Sequence, residues 1–72
     1  MIRDAIRTAV SGDPLTGAQM AGAMETILAG EASPAQIAAL AIALRMRGET
    51  AEELSAAARV LRDRAVPLSL SV

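Results

Sequence analysis

The stretch that decides the fold of this 72-residue chain is Ser33–Gly48, which reads SPAQIAALAIALRMRG. The serine and Gln36 have the spacing of a capping box, in which each side chain bonds the backbone N–H of the other residue. Pro34 suits the first position of a helix, because its missing N–H is not needed there. The closing glycine can take the left-handed conformation that ends a helix. Together these signals predict a helix over Pro34–Arg47.

This predicted helix is apolar around its whole circumference, because Gln36 is the only polar side chain between Pro34 and Leu44. A helix of that kind is usually buried on every side. A small bundle cannot easily surround one of its own helices, so the excess apolar surface predicts a contact with another domain or another copy of the chain. The competing explanation is that alanine dominates the run and tolerates exposure as the best helix former.

Similar start and stop signals flank this segment. Capping-box spacing occurs twice more, at Thr16 and at Thr50, each followed three residues later by Gln or Glu. Gly12 and Gly30 stand where left-handed residues would end the preceding helices. The sequence therefore predicts an all-α fold, a small bundle of four short helices with short loops. The predicted helices are Ile2–Val10, Gly17–Ala29, Pro34–Arg47 and Ala51–Arg64.

The spacing of apolar residues predicts which helix faces turn inward. On the first helix, the expected inward stripe is Ile2, Ile6 and Val10. On the fourth helix, the expected inward stripe is Leu54, Ala57, Ala58 and Leu61. The short connections also predict that helices adjacent in sequence pack closely, many of them antiparallel.

The chain divides into two predicted parts. We expect a helical bundle domain over residues 1–64 and an extended C-terminal tail, or linker, over residues 65–72. In that tail Leu68, Leu70 and Val72 alternate with serines. Alternation of period two is typical of a strand, although this chain offers no partner strand.

The composition excludes several classes of chemistry. The chain has no His and no Cys, so it has no zinc site of the usual ligand types and no Ser–His or Cys–His pair for nucleophilic catalysis. Its seven basic residues are all Arg, so it has neither a Schiff-base lysine nor a phosphate-loop lysine. As an isolated enzyme, this chain is a poor candidate.

Charge and hydropathy argue against nucleic-acid and membrane partners. Seven Arg against eight acidic residues leave no basic excess for phosphates, and the chain has no aromatic ring to stack on bases. The longest apolar run, Ile37–Leu44, has eight residues, whereas a membrane span needs roughly 18. No apolar block follows the charged start, so no signal peptide is expected. We therefore expect a soluble, cytoplasmic protein.

The order of motifs is similar to that of one known family. The matching segments are Leu15-Thr16, Met24, Gly30–Ala39, Ala43–Thr50, Glu52–Leu54, Ala58–Arg62 and Ala65–Leu68. Together they resemble the N-terminal helical domain of the anthranilate phosphoribosyltransferases, a glycosyl transferase family 3 and nucleoside phosphorylase-like helical bundle. Pyrimidine nucleoside phosphorylases share the helical pattern and an Arg-x-x-Gly-x-Thr stretch. The Ala-Val-Pro ending favours the anthranilate enzymes.

The resemblance implies an activity for a full-length parent rather than for this chain. Enzymes of the family transfer a phosphoribosyl group from phosphoribosyl pyrophosphate to anthranilate in tryptophan biosynthesis, with magnesium on the pyrophosphate. Their phosphate loop and magnesium ligands lie in a large α/β catalytic domain, which this sequence does not contain. We therefore predict no catalytic, cofactor-binding or metal-binding residue here, and expect magnesium only in the full-length parent.

The resemblance also implies two partners, because the family's helical domain forms much of the homodimer contact and closes over the substrates. We expect a homodimer and a contact with the missing α/β catalytic domain of the same chain. The candidate residues, divided between core and interface, are Ile2, Ile6, Ile37, Leu40 and Leu44. Two alternatives stay open: a free-standing, non-catalytic helical interaction module, and the same domain of a pyrimidine nucleoside phosphorylase.

Two charged clusters are weaker candidates for a site. Glu49, Glu52 and Glu53 at the start of the fourth helix resemble metal ligands, but helix capping and the helix dipole also place acids there. Arg45 and Arg47 at the end of the third helix could bind a substrate phosphate. Cations are also favourable at the negative end of a helix. In both clusters we prefer the structural explanation.

Overall fold

Capping residues set the helix boundaries in the computed structural model, which describes residues 2–65. The helices are α1 (Ile2–Val10), α2 (Gly17–Leu28), α3 (Pro34–Arg47) and α4 (Ala51–Asp63). The predicted all-α fold is confirmed, and residues 2–65 contain no strand. The ends of α2 and α4 come one residue earlier than predicted, because Ala29 and Arg64 are the caps of those helices. The predicted extended tail with its alternating residues falls on residues 66–72, outside the described part.

All three predicted capping boxes are present. The hydroxyls of Thr16, Ser33 and Thr50 each accept the backbone N–H of the residue three positions later, at 3.0–3.1 Å. The Gln or Glu side chain at that later position accepts the N–H of the cap residue in return, at 2.8–3.0 Å. Each box therefore satisfies two N–H groups that the first helical turn leaves without a partner.

The helix ends confirm the predicted role of the glycines. Gly12, Gly30 and Gly48 all have positive φ angles, of 87°, 75° and 91°. At the end of α3, the N–H of Gly48 donates to the carbonyl of Leu44 at 2.8 Å. Because L side chains rarely adopt this conformation, glycine at this position lets the chain turn sharply from α3 into the short connection before α4.

The bundle consists of two packed helix pairs, α1 on α3 and α2 on α4, with α1 also touching α2. The starts of α2 and α4 meet where the N–H of Gly17 donates to Oε2 of Glu52 at 2.8 Å. Towards their other ends, Arg64 pairs with Glu25. These two helices therefore run in the same direction. The prediction that sequence neighbours pack closely is wrong for α2 with α3 and for α3 with α4, because α3 packs against α1 and α4 packs against α2 instead.

The core lies between these pairs and is made largely of small side chains. The buried apolar residues are Ile2, Ala5, Ala9, Leu15, Met20, Ala23, Leu40, Leu44, Ala56 and Val60. Alanine at so many helix contacts allows the helix axes to approach closely, since the spacing depends on the side chains between them. Leu15 belongs to the connection between α1 and α2 and is among the largest side chains that are fully buried.

The buried face of α4 differs from the predicted stripe. The buried residues are Glu53, Ala56 and Val60, whereas Leu54 is 55% exposed. Ala57 is half-buried and packs against the core, which leaves the observed face about one residue away from the expected one. The rotation brings the Glu53 carboxylate inward, where it meets hydrogen-bond donors from other segments.

The inward face of α1 is shifted from the predicted stripe towards the neighbouring alanines, and the inward face of α3 is narrow. On α1, Ile2, Ala5 and Ala9 are buried, while Val10 at the end of the expected stripe is exposed. On α3, the buried residues are Leu40 and Leu44 alone. The expectation that α3 carries more apolar surface than this chain covers is confirmed by the exposed Ile42 and Met46.

Candidate interface cleft and the carboxylate behind it

The largest uncovered apolar feature is a cleft of about 590 Å³ between the end of α1 and the second half of α3. We call it the apolar cleft. Its lining residues are Ala9, Val10, Gly12, Ala39, Ile42, Ala43, Met46 and Arg47. Apolar atoms dominate this lining, and contiguous apolar surface of this kind is typical of a protein–protein contact.

Three large apolar side chains in the lining of the apolar cleft are exposed to solvent. Val10 is 69% exposed, Ile42 is 59% exposed and Met46 is 84% exposed. Ile42 and Met46 are four residues apart, so they lie on one face of α3. The buried Leu40 and Leu44 lie on a different face, which packs against α1. One helix thus presents an inward leucine pair and an outward isoleucine–methionine pair.

The structure separates the predicted interface residues. Ile2, Leu40 and Leu44 are buried in the core of the chain itself. Ile6 is half-buried against that core, and Ile37 is exposed. Their participation in an interface stays a prediction.

Three better exposed residues, Val10, Ile42 and Met46, are absent from the five predicted interface residues. The prediction placed Val10 on an inward stripe and did not name the other two as interface residues. A usable signal was present in the sequence, because Ile42 and Met46 repeat at the same i, i+4 spacing as Leu40 and Leu44. Two such pairs on one helix indicate two apolar faces.

Arg47 is the charged residue in the lining of the apolar cleft. Its side chain is only 12% exposed, and its Nη2 donates to Oε2 of Glu53. Within residues 2–65, the Nε of Arg47 is buried and has no hydrogen-bond partner. A buried donor without a partner loses its hydrogen bonds to water and gains none in return, so burying this guanidinium lowers the stability of the folded chain.

Glu53 is fully buried and collects donors from three segments. Its Oε2 accepts the N–H of Leu15 at 2.6 Å as well as Nη2 of Arg47. Its Oε1 accepts the N–H of Thr50 at 2.8 Å. The carboxylate therefore joins the α1–α2 connection, the last residue of α3 and the start of α4. We call these four residues the Glu53 network.

The surroundings of Glu53 keep its carboxylate ionised. Burial by itself raises the pKa of this carboxyl, because the charged form loses its hydration. The hydrogen bond from Arg47, those from the N–H groups of Thr50 and Leu15, and the charge of Arg47 outweigh burial. Together they lower the pKa from 4.5 to about 2. Glu53 is therefore ionised at neutral pH.

Three members of the two charged clusters, Glu52, Glu53 and Arg47, make structural contacts. Glu53 completes the capping box of α4, and Glu52 accepts the N–H of Gly17 at the positive end of α2. Among the described residues, no three acidic side chains come close enough to hold a metal ion. Arg47 is engaged with Glu53, and Arg45 is exposed at the end of α3.

A second, more polar groove of about 540 Å³ runs along α2 and α4. We call it the polar groove. Its charged lining residues are Glu25, Glu52, Arg59 and Asp63. At its start, Gly17 packs against Glu52, whose Oε2 would lie 3.4 Å from a Cβ added at that glycine.

The comparisons with known proteins agree with this architecture. The profile described as "Glycosyl transferase family, helical bundle domain" matches residues 3–65. Within the described part of the chain, no helix has the length and apolar character needed to cross a bilayer.

Similar proteins include the anthranilate phosphoribosyltransferases of Syntrophotalea carbinolica and Geobacter sulfurreducens. Each is 54% identical over 68 residues, which make up 94% of this chain and 19% of the enzyme. The anthranilate phosphoribosyltransferase of Moorella thermoacetica is 48% identical over 71 residues, 99% of this chain and 21% of that enzyme. The chain spans about a fifth of the length of these curated relatives. With the family profile covering nearly all of its bundle, this chain belongs to the helical bundle domain of the glycosyl transferase family.

Proposed function

We propose that this chain is the helical dimerisation and substrate-closure domain of an anthranilate phosphoribosyltransferase. The observation that carries the proposal is the 54% identity over 94% of the chain to enzymes of that name. In this proposal the parent enzyme transfers a phosphoribosyl group from phosphoribosyl pyrophosphate to anthranilate. The helical bundle supplies contacts rather than chemistry.

The apolar cleft supports the dimerisation part of the proposal. Val10, Ile42 and Met46 expose apolar surface whose burial contributes about 25 cal/mol for each Å² removed from water. A two-fold contact uses the same patch on both copies, so each buried square ångström counts twice. A second copy of this chain is therefore the occupant that we propose for the cleft.

The polar groove supports the closure part. Its charged residues, among them Glu52 and Asp63, remain well hydrated when the groove is open. Contacts within one chain that form and break repeatedly tend to be more polar than permanent interfaces. We propose that this groove faces the α/β catalytic domain of the parent.

The proposal assigns catalysis to that α/β domain. The five glycines of the bundle chain are dispersed, and it has no lysine, so a phosphate loop has no counterpart here. Magnesium and phosphoribosyl pyrophosphate would be bound by the parent's other residues. The isolated chain should therefore catalyse no phosphoribosyl transfer when anthranilate fluorescence is followed with phosphoribosyl pyrophosphate and magnesium.

A chimeric enzyme tests the proposal. The 68 matching residues of the Geobacter sulfurreducens enzyme are replaced by those of this chain, and anthranilate consumption is measured. We expect a dimeric chimera with activity comparable to that of the parent. The control chimera carries Ile42→Ser and Met46→Ser, two changes on the exposed face of α3, and should dimerise less tightly. A folded, dimeric chimera without activity would contradict the closure function.

The second candidate function is a free-standing helical interaction module without catalysis. It is favoured by a core that residues 2–65 close by themselves, with Leu15 and Ala56 almost completely buried. This candidate predicts that the isolated chain dimerises while the chimera is inactive. Because both functions predict a dimer, the activity of the chimera distinguishes them.

A further inference from the structure

Two walls of the apolar cleft are tied to one carboxylate oxygen. The α1 wall continues through Gly12 into the connection that carries Leu15, and the N–H of Leu15 donates to Oε2 of Glu53. The α3 wall ends at Arg47, which donates to the same oxygen. Glu53 itself has no exposed surface, so it cannot touch an occupant of the cleft.

From this geometry we infer that Arg47 and Glu53 are positioning residues. They couple two events: the binding of a second copy in the apolar cleft, and the hydrogen bond that holds the Leu15 N–H on Glu53 of α4. The inference rests on the proposed dimer and extends it. If an intact Glu53 network tightens the binding of a second copy by some factor, that binding must favour the intact network by the same factor. The reason is that coupling between two equilibria is reciprocal.

The coupling requires two arrangements of Arg47, and the structure indicates why they compete. In the inward arrangement Arg47 neutralises Glu53, but its Nε is buried without a partner in the described chain. In an outward arrangement the guanidinium regains water, and the buried carboxylate loses its cation. The inward arrangement leaves Nε of Arg47 without a partner, and the outward arrangement leaves the Glu53 carboxylate without a cation. Each arrangement therefore carries an energetic cost.

A second copy in the cleft selects between these arrangements. Arg47, Ile42 and Met46 line the same cleft. We therefore expect an outward swing of Arg47 to carry its side chain into the space beside the other two residues. A second copy that covers these apolar residues fills that space and excludes the outward arrangement. Dimer formation therefore shifts Arg47 inward, following the rule that a ligand favours the state it binds better.

The coupling reaches the polar groove through the start of α2. Leu15 immediately precedes Thr16, the cap of α2, and Thr16 and Gly17 line the polar groove. When Glu53 holds Leu15, the start of α2 is fixed against Glu52 on α4. Dimer formation at the apolar cleft thus fixes the start of the polar groove, the surface proposed for closure.

The test combines dimer affinity with an amide signal. The dissociation constant of the dimer is measured by sedimentation with interference optics, because the chain has no aromatic residue. We expect Glu53→Gln to raise it roughly 5- to 150-fold, the usual range of a coupling free energy. The control is Ile27→Val, which removes one methyl group packed against the core, lines neither the apolar cleft nor the polar groove, and should leave the dissociation constant nearly unchanged.

The Leu15 amide signal of the unaltered chain keeps the test decisive if Glu53→Gln does not fold. Arg47→Lys retains a cation for Glu53, so it should keep the dissociation constant close to that of the unaltered chain. In the unaltered chain, the NMR signal and hydrogen exchange of the Leu15 N–H should change with dimer formation. The N–H of Ser33, which donates to Gln36 in the capping box of α3, serves as the reference amide.

The outcomes separate the inference from the proposed function. A chain that stays monomeric contradicts the proposed dimerisation, and the coupling with it. A chain that dimerises, with Glu53→Gln binding as tightly as the unaltered chain or with a Leu15 signal independent of concentration, contradicts the coupling alone. A raised dissociation constant together with a concentration-dependent Leu15 signal supports both.

Discussion

A single buried carboxylate, that of Glu53, joins segments of this small bundle that are distant in sequence. Glu53 lies 38 positions from Leu15 in sequence, and their hydrogen bond is buried. Removing one partner of a buried ion pair leaves the other charge without compensation, which lowers stability strongly. Replacing both partners by apolar side chains usually lowers stability much less. The effect of a substitution in the Glu53 network on stability should therefore depend strongly on whether the new side chain keeps the charge of the old one.

Two substitutions at Arg47 test this dependence. Arg47→Ala leaves the Glu53 carboxylate buried without a cation and should lower the free energy of unfolding by about 3–5 kcal/mol. Arg47→Lys keeps a cation and removes the unpartnered Nε, so the loss should be much smaller. Urea unfolding followed by far-ultraviolet circular dichroism measures both. Equal losses for the two variants would contradict the role of the ion pair.

The pH dependence of stability follows from the lowered pKa of Glu53, about 2 in the folded chain against 4.5 ordinarily. The folded state binds this proton less tightly than the unfolded state, so ionised Glu53 contributes stability. That contribution is complete above the unfolded pKa and is lost as the pH falls from about 4.5 towards 2. Urea unfolding across this range should show a flatter profile for Glu53→Gln than for the unaltered chain. Parallel profiles would rule out this assignment.

At the scale of the helices, local signals determined the boundaries. Ser33→Ala removes the hydroxyl that caps α3 and should cost roughly 0.5–2 kcal/mol of stability. Ser55→Ala, on the exposed side of α4, should cost less or add stability because alanine has the higher helix propensity. Urea unfolding of both variants gives the comparison. The reverse order would remove the capping role of Ser33.

The rotation of α4 gives a separate test. Val60 is buried, so Val60→Ala should lower stability by about 1.5–3 kcal/mol. Leu54 is largely exposed, and Leu54→Ala should change stability by no more than about 0.5 kcal/mol. Thermal or urea unfolding of the two variants measures the difference. A larger loss at Leu54 would restore the face predicted from the sequence.

The helices of this chain were predictable because their caps act within four residues. Thr16, Ser33 and Thr50 each find their partner three positions later, so no tertiary contact is needed to recognise them. The face of α4 was not predictable in the same way. A buried Glu53 is favourable only because the fold brings Leu15 and Arg47 to it, and apolar periodicity carries no information about those donors.

For the whole molecule, the excess of apolar surface was predictable but its position was not. The sequence indicates that α3 is apolar all round, and Ile42 and Met46 are indeed exposed. The pairing of α1 with α3, which are not neighbours in sequence, decides which residues of α3 remain outside. Val10 is exposed because α1 ends there, and the chain turns away through Gly12.

Sedimentation equilibrium shows whether a second copy of this chain covers the apolar cleft. We expect a dimer whose melting temperature rises with protein concentration, as mass action requires. We also expect Ile42→Ser with Met46→Ser to shift the chain towards a folded monomer, since both side chains are exposed in the single chain. A compact monomer at all concentrations from micromolar to millimolar, with an unchanging melting temperature, would contradict the proposed dimer.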